Sequence, residues 1–173
     1  MKQCFQSIVL TAILIGFSVT NVQAGEILDR VRLSGEVRCG VTDAKLPGFS
    51  IVESNGRWAG FWVDLCKAIA VASLGDSEAV RIVPATESIR AAALRGNAID
   101  IMSANTTWTL SREAGTGIRF VGPVLYDGQG FLSHADAKAK DLKSFGSAKV
   151  CVREGTTTQQ NLQELIKSAY PNL

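Results

Sequence analysis

Asn105, Thr106, Thr107, Thr109 and Arg112 crowd into one short run, "SANTTWTLSR", directly after the apolar stretch "IDIM". Hydroxyls, an amide and backbone groups lie beside a planar guanidinium, which can hold a carboxylate through two parallel hydrogen bonds. The chemistry on offer is recognition of a small anionic ligand. The same spacing also suits a helix beginning near Ser111, with Asn105 or Thr109 as its cap and Arg112 on a solvated face. Spacing alone leaves both readings open.

A second polar run, "GTTTQQNL", precedes an amphipathic stretch from Gln160 to Tyr170. Successive N–H groups at a helix start, with the helix dipole behind them, accept an anion without a charged side chain. One of the three threonines must also serve as an ordinary N-cap. Phe49, in a turn, offers either an apolar wall with a face for an ammonium group or plain packing on its own surroundings. Trp58 and Trp62 flank a helix start and read as packing residues. His134 is the single histidine, so no histidine pair supports a metal site. Cys151 has no histidine-based catalytic setting, and no GxSxG, HExxH or phosphate-loop pattern occurs. The sequence therefore proposes no enzyme, no metal and no cofactor.

These runs need elements to position them. A short helical pattern (Ile27, Leu28, Val31) leads to Gly35, and "EVRCGV" then alternates as a strand does. "KLPGFS" and "ESNGRW" are turn-rich. "FWVDLCKAIAVASLG" carries Leu65, Ile69 and Ala72 at helical spacing with Gly75 as its stop. A strand "AVRIVP", a helix "TESIRAAALRGN" and a strand "AIDIMSA" follow. This alternation predicts an α/β fold with a largely parallel sheet, whose ligands bind outside the carboxyl ends of the strands. Those ends lie after Val41, Met102 and Val152. Residues 128–134 read as an extended connection, followed by a strand "AKVCV" and a helix "TQQNLQELIKSAY", with a lobe boundary near Gly130.

Lys2, the apolar run Ile8 to Val19 and Val22-Gln23-Ala24 form a secretory signal pattern, so residues 1–24 are expected to be removed on export to the periplasm. The apolar run is shorter than the ~20 residues a bilayer span needs. About 149 residues remain from Gly25, enough for one core-bearing domain. The net charge of +2 supplies no basic field for nucleic acid. Three cysteines remain after cleavage, Cys39, Cys66 and Cys151, an odd number for an exported chain. Cys39 ends a strand-like run and Cys66 lies in the next helix, so they form either a disulfide or two buried thiols. A disulfide there closes a loop worth about 3.5 kcal/mol of chain entropy.

"LSGEVRCGVTDAKLPGFS", "GFWVDLCKAIA", "IDIMSANTTWTLSR", "FVGPVLYDGQGFL" and "VCVREGTTTQQNL" together resemble the periplasmic substrate-binding proteins of polar and general L-amino-acid ABC transporters. The likeness runs from about Glu26 to the last residues. It implies the type II periplasmic binding protein fold, a monomeric two-lobed receptor that closes around an L-amino acid and delivers it to an inner-membrane ABC permease. By that resemblance Arg112 binds the ligand α-carboxylate, and Thr107 assists with its hydroxyl or N–H. Asn105 helps to hold the α-ammonium through its loop backbone, Thr157 completes the carboxylate clamp from the second lobe, and Phe49 lies near the aromatic lining of the cleft.

The departures are specific. Such receptors are about twice this length, and their relatives tend to carry arginine at Ala104, aspartate at Trp62 and phenylalanine at Ala91. The resemblance also implies that a partner for Cys151 comes from the second-lobe half beyond Leu173. The expected organisation is a signal peptide (1–24), a first lobe (25–130) lacking its return segment, and the start of a second lobe (131–173). The expected function is amino-acid binding for import, weakened by the missing half. The alternatives are a truncated, non-binding remnant and, on the same fold, a dehydratase-like enzyme with Glu87 as its acid or base.

Overall fold

The computed structural model describes residues 25–42, 46–137, 141, 143–145 and 149–169. The signal pattern lies outside them. Helix α1 (Glu26–Ser34) leads into strand β1 (Val37–Val41), and a small antiparallel hairpin, β2 (Ile51–Val52) with β3 (Trp58–Ala59), precedes helix α2 (Phe61–Leu74). Strand β4 (Val80–Pro84), helix α3 (Arg90–Arg95), strand β5 (Ile101–Ser103) and helix α4 (Leu110–Thr116) follow; a 3-10 turn (Lys143–Phe145) and helix α5 (Thr157–Ala169) complete the described elements. The main sheet is parallel with the order β4-β1-β5. Alternating α/β elements thus form the largely parallel sheet expected from the sequence.

The pattern of side chains along β1 explains the packing. Val37, Cys39 and Val41 point to one face of the strand, as alternate residues must. They bury against Val31 of α1 and Trp62, Cys66 and Ala70 of α2. Cys39 and Cys66 are bonded, with Cα atoms 5.9 Å apart, so the strand and its covering helix are joined covalently. Gly40 faces the other side of β1, where a Cβ would come within 2.6 Å of Ile99 Cδ1 and Met102 Sδ. The missing side chain at Gly40 leaves room for the ends of these two side chains over the central strand. Gly60, at φ 115°, sets up α2: its left-handed backbone turns the chain so that Phe61 and Trp62 donate their N–H groups to the carbonyls of Gly48 and Phe49 at 3.0 Å.

The opposite edge is pinned by charge. Asp100 accepts hydrogen bonds from the Arg38 amide (2.8 Å) and the Arg38 guanidinium (2.6 Å), and it also pairs with Arg30 of α1. Burial pushes the Asp100 carboxyl up, but the hydrogen bonds from Arg38 and Arg30 and the Arg38 charge outweigh it and hold the group below its ordinary value. One expected strand is missing. Residues 149–152 of "AKVCV" have no sheet partner among the described residues, where the main sheet consists of β4, β1 and β5.

Candidate functional site

The strands of the main sheet are parallel, so their carboxyl ends open on one edge: Thr42 after β1, Ala85 after β4 and Ala104 after β5. In parallel α/β sheets ligands bind outside this edge. The loop from Ala104 to Thr109 crosses that edge. Thr109 is the N-cap of α4, with its hydroxyl oxygen accepting the Arg112 amide at 3.2 Å. The capping reading of this run therefore holds for Thr109. Capping also fixes the direction of Arg112, whose half-buried side chain turns back so that Nη1 donates to the Thr107 carbonyl at 2.8 Å.

The second polar run arrives from far along the chain. Thr156 is the ordinary cap of α5: its hydroxyl accepts the Gln159 amide at 3.2 Å and donates to the Arg153 carbonyl at 2.6 Å. Thr157 is thereby free to face the first unit, and its hydroxyl donates to the Thr107 hydroxyl at 3.0 Å. Gln129 bridges the same helix, donating to the Thr158 carbonyl and accepting from the Asn161 amide group, each at 3.1 Å. Thr107, Arg112 and Thr157 are thus brought together. Asn105 lies exposed on the same loop. Phe49 is elsewhere in role: its ring packs on Phe61 and Trp62, with centroids 6.1 and 5.4 Å away, and joins the core of the first unit.

Two arginines that the sequence did not single out complete the edge around Glu87, the residue weighed above as an acid or base. Arg90, buried at the start of α3, donates to the Thr106 hydroxyl at 2.5 Å and pairs with Glu87 at 3.2 Å. Arg153, just before the threonine turn, reaches the same Glu87 carboxylate at 2.5 Å. Only the Glu87–Arg90 spacing of three residues was a readable sign, since such pairs are neighbours on one helical turn. Burial pushes the Glu87 carboxyl up, but hydrogen bonds from its own amide and from Arg153, with the charges of Arg90 and Arg153, hold it below its ordinary value. Arg90 and Arg153 share the Glu87 carboxylate, whereas Arg112 is turned onto the Thr107 carbonyl, and Glu113 on the same helix accepts from the Trp108 indole at 2.6 Å.

A parallel sheet with an arginine- and threonine-lined carboxyl edge, met there by a helix N-terminus, has counterparts of known kind. Residues 37–172 match the family described as bacterial extracellular solute-binding proteins, family 3. The chain belongs to this family. It is 43% identical over 145 residues to the "Putative amino-acid ABC transporter-binding protein YhdW" of Escherichia coli K12, covering 84% of this chain and 42% of that protein. It is 37% identical over 168 residues to the "General L-amino acid-binding periplasmic protein AapJ" of Rhizobium johnstonii, covering 97% of this chain and 49% of the relative. A solved "ABC transporter / periplasmic binding protein from Brucella ovis with glutathione bound" superposes with a TM-score of 0.77 at 35% identity, over 84% of this chain and 46% of that one. The chain spans about half the length of these relatives. Its fold is the corresponding half of the type II periplasmic binding protein architecture.

Proposed function

We propose that this solute-binding family member takes up L-amino acids outside the cytoplasm, in the periplasm, and delivers them to an inner-membrane ABC permease as a monomer. The ligand α-carboxylate is held between Arg112 and the N-terminal turn of α5 at Thr157, with Thr107 between them. The observation that carries this reading is the Thr157–Thr107 hydrogen bond, which sets two anion-binding elements from distant parts of the sequence side by side. Asn105 supplies backbone groups for the ammonium, and Phe49 supports the cleft wall by packing behind it. The division into lobes near Gly130 belongs to the same proposal. The names of the relatives support amino acids as the class to test, and the Brucella ovis protein adds glutathione, which carries an α-amino acid group at one end.

Catalysis fits the same geometry poorly. A dehydratase-like reaction would need Glu87 to exchange a proton near neutral pH, and two guanidinium groups hold that carboxylate ionised. Titration of residues 25–173 with L-amino acids, their carboxamides and glutathione, followed by amide NMR, tests the binding role. Shifts confined to residues 105–112 and 155–158 are expected for free carboxylates and not for carboxamides. Arg112→Ala should remove a charged hydrogen bond worth about 1.5–3 kcal/mol, a loss of roughly tenfold or more in affinity. Equal responses to acids and carboxamides, or none to any compound, would overturn the carboxylate clamp.

A further inference from the structure

We propose that Glu87 is a positioning residue that seats the first turn of α5 against the sheet edge through Arg153, while holding the Thr106–Thr107 loop through Arg90. Its role in binding rests on the carboxylate reading above; the seating itself does not. One carboxylate serves both elements. Glu87 Oε1 pairs with Arg153 at 2.5 Å and with Arg90 at 3.2 Å, and Arg90 in turn donates to Thr106 at 2.5 Å. Arg153 is tied to the helix start, since its carbonyl accepts the hydroxyl of the capping Thr156. The next residue, Thr157, meets Thr107 at 3.0 Å. The contacts make a closed circuit: Glu87 to Arg153, along the turn to Thr157, across to Thr107, and back from Thr106 through Arg90.

The burial of the members fits this division of labour. The Glu87 and Arg90 side chains are mostly covered, whereas that of Arg153 is 54% exposed. The buried pair is the fixed half and the exposed arginine is the half that docks. Of the described contacts, the ion pair is the charged one between α5's approach and the first unit, so salt must weaken it more than the hydroxyl and amide contacts.

Hydrogen exchange of the ligand-free chain is the test, because it needs no ligand. Arg153→Ala is expected to speed exchange in the peptide covering residues 153–161 roughly fivefold, while the peptide covering Val37 to Val41 stays unchanged. Glu87→Gln is expected to do the same, and the double variant should exchange no faster than the quicker single one. Arg153→Lys should keep most of the protection, and 1 M salt should bring wild type towards Arg153→Ala. If Glu87→Gln fails to fold because buried Arg90 loses its partner, Arg153→Ala and Arg153→Lys decide the matter. Unchanged exchange in Arg153→Ala, or additive effects in the double variant, overturns the proposal. Absence of amino-acid binding leaves these outcomes intact, and failure here leaves the carboxylate titration to stand by itself.

Discussion

The unit from α1 to α4 and the segment after it are held by different forces. In the first, Cys39, Val41, Cys66 and Ala70 have no exposure at all, and a disulfide joins strand to helix. In the second, Leu162 is the buried hydrophobic residue among those described, while Val121, Tyr126 and Leu132 stand almost fully exposed. The first unit carries Arg112 and Thr107 on a covalently braced sheet. The second presents Thr157 through hydrogen bonds and one ion pair. Half of the candidate clamp therefore follows directly on a cross-linked sheet, and the other half is set by contacts that water and salt can compete for.

The largest expected effects break the first unit. Cys39→Ala with Cys66→Ala should lower its stability by about 3.5 kcal/mol on the chain-entropy account, measured by denaturant unfolding. A loss below about 1 kcal/mol would mean that packing, not the cross-link, braces β1 to α2. Asp100→Ala comes next at about 3 kcal/mol, since it strands two arginines at a buried carboxylate. The folded-state carboxyl lies below its ordinary value, so its stabilisation is complete above about pH 5 and is lost as the pH falls through and below about 4. Wild type should lose stability across that acid range, and Asp100→Asn should lose much less. A variant that keeps the full acid transition would assign it to other carboxylates.

Smaller effects come from two helix starts, those of α2 and α4. Gly60→Ala forces a φ of 115° on a residue with a Cβ and drives that atom to 2.6 Å from the Phe49 backbone. A cost of about 2 kcal/mol is expected by thermal unfolding. Thr109→Ala removes the cap of α4 and should cost about 1 kcal/mol. Because the cap sets the path of Arg112, the variant should also lose more carboxylate affinity than its stability change alone explains. Stability lost with affinity unchanged would separate the cap from the clamp.

What could be read in the sequence divides along the same line. Val37–Val41, Phe61–Leu74 and Val80–Pro84 announced themselves through local periodicity and glycine stops, and Gly75 closes α2 in the left-handed conformation that its position suggested. Cys39 and Cys66 lay on consecutive elements, so their pairing was within reach. The β2–β3 hairpin was read only as turns, because strands of two residues carry no alternation to detect. Residues 149–152 show the reverse error: an apolar run looks like a strand whether or not a partner strand exists. The contacts from Arg153 to Glu87 and from Thr157 to Thr107 span 66 and 50 positions. Local pattern carries no information about such pairs, and for Thr157 it was the family resemblance that pointed to the site.

The smallest expected effect concerns the exposed apolar residues after α4. Tyr126 and Leu132, at 88% and 101% exposure, contribute almost no buried area to the fold described here. Replacing both with serine should therefore change the unfolding free energy by less than about 0.5 kcal/mol. Destabilisation by 2 kcal/mol or more would show that these side chains are buried against the first unit in solution. The contrast between a packed half and an open one would then have to be given up.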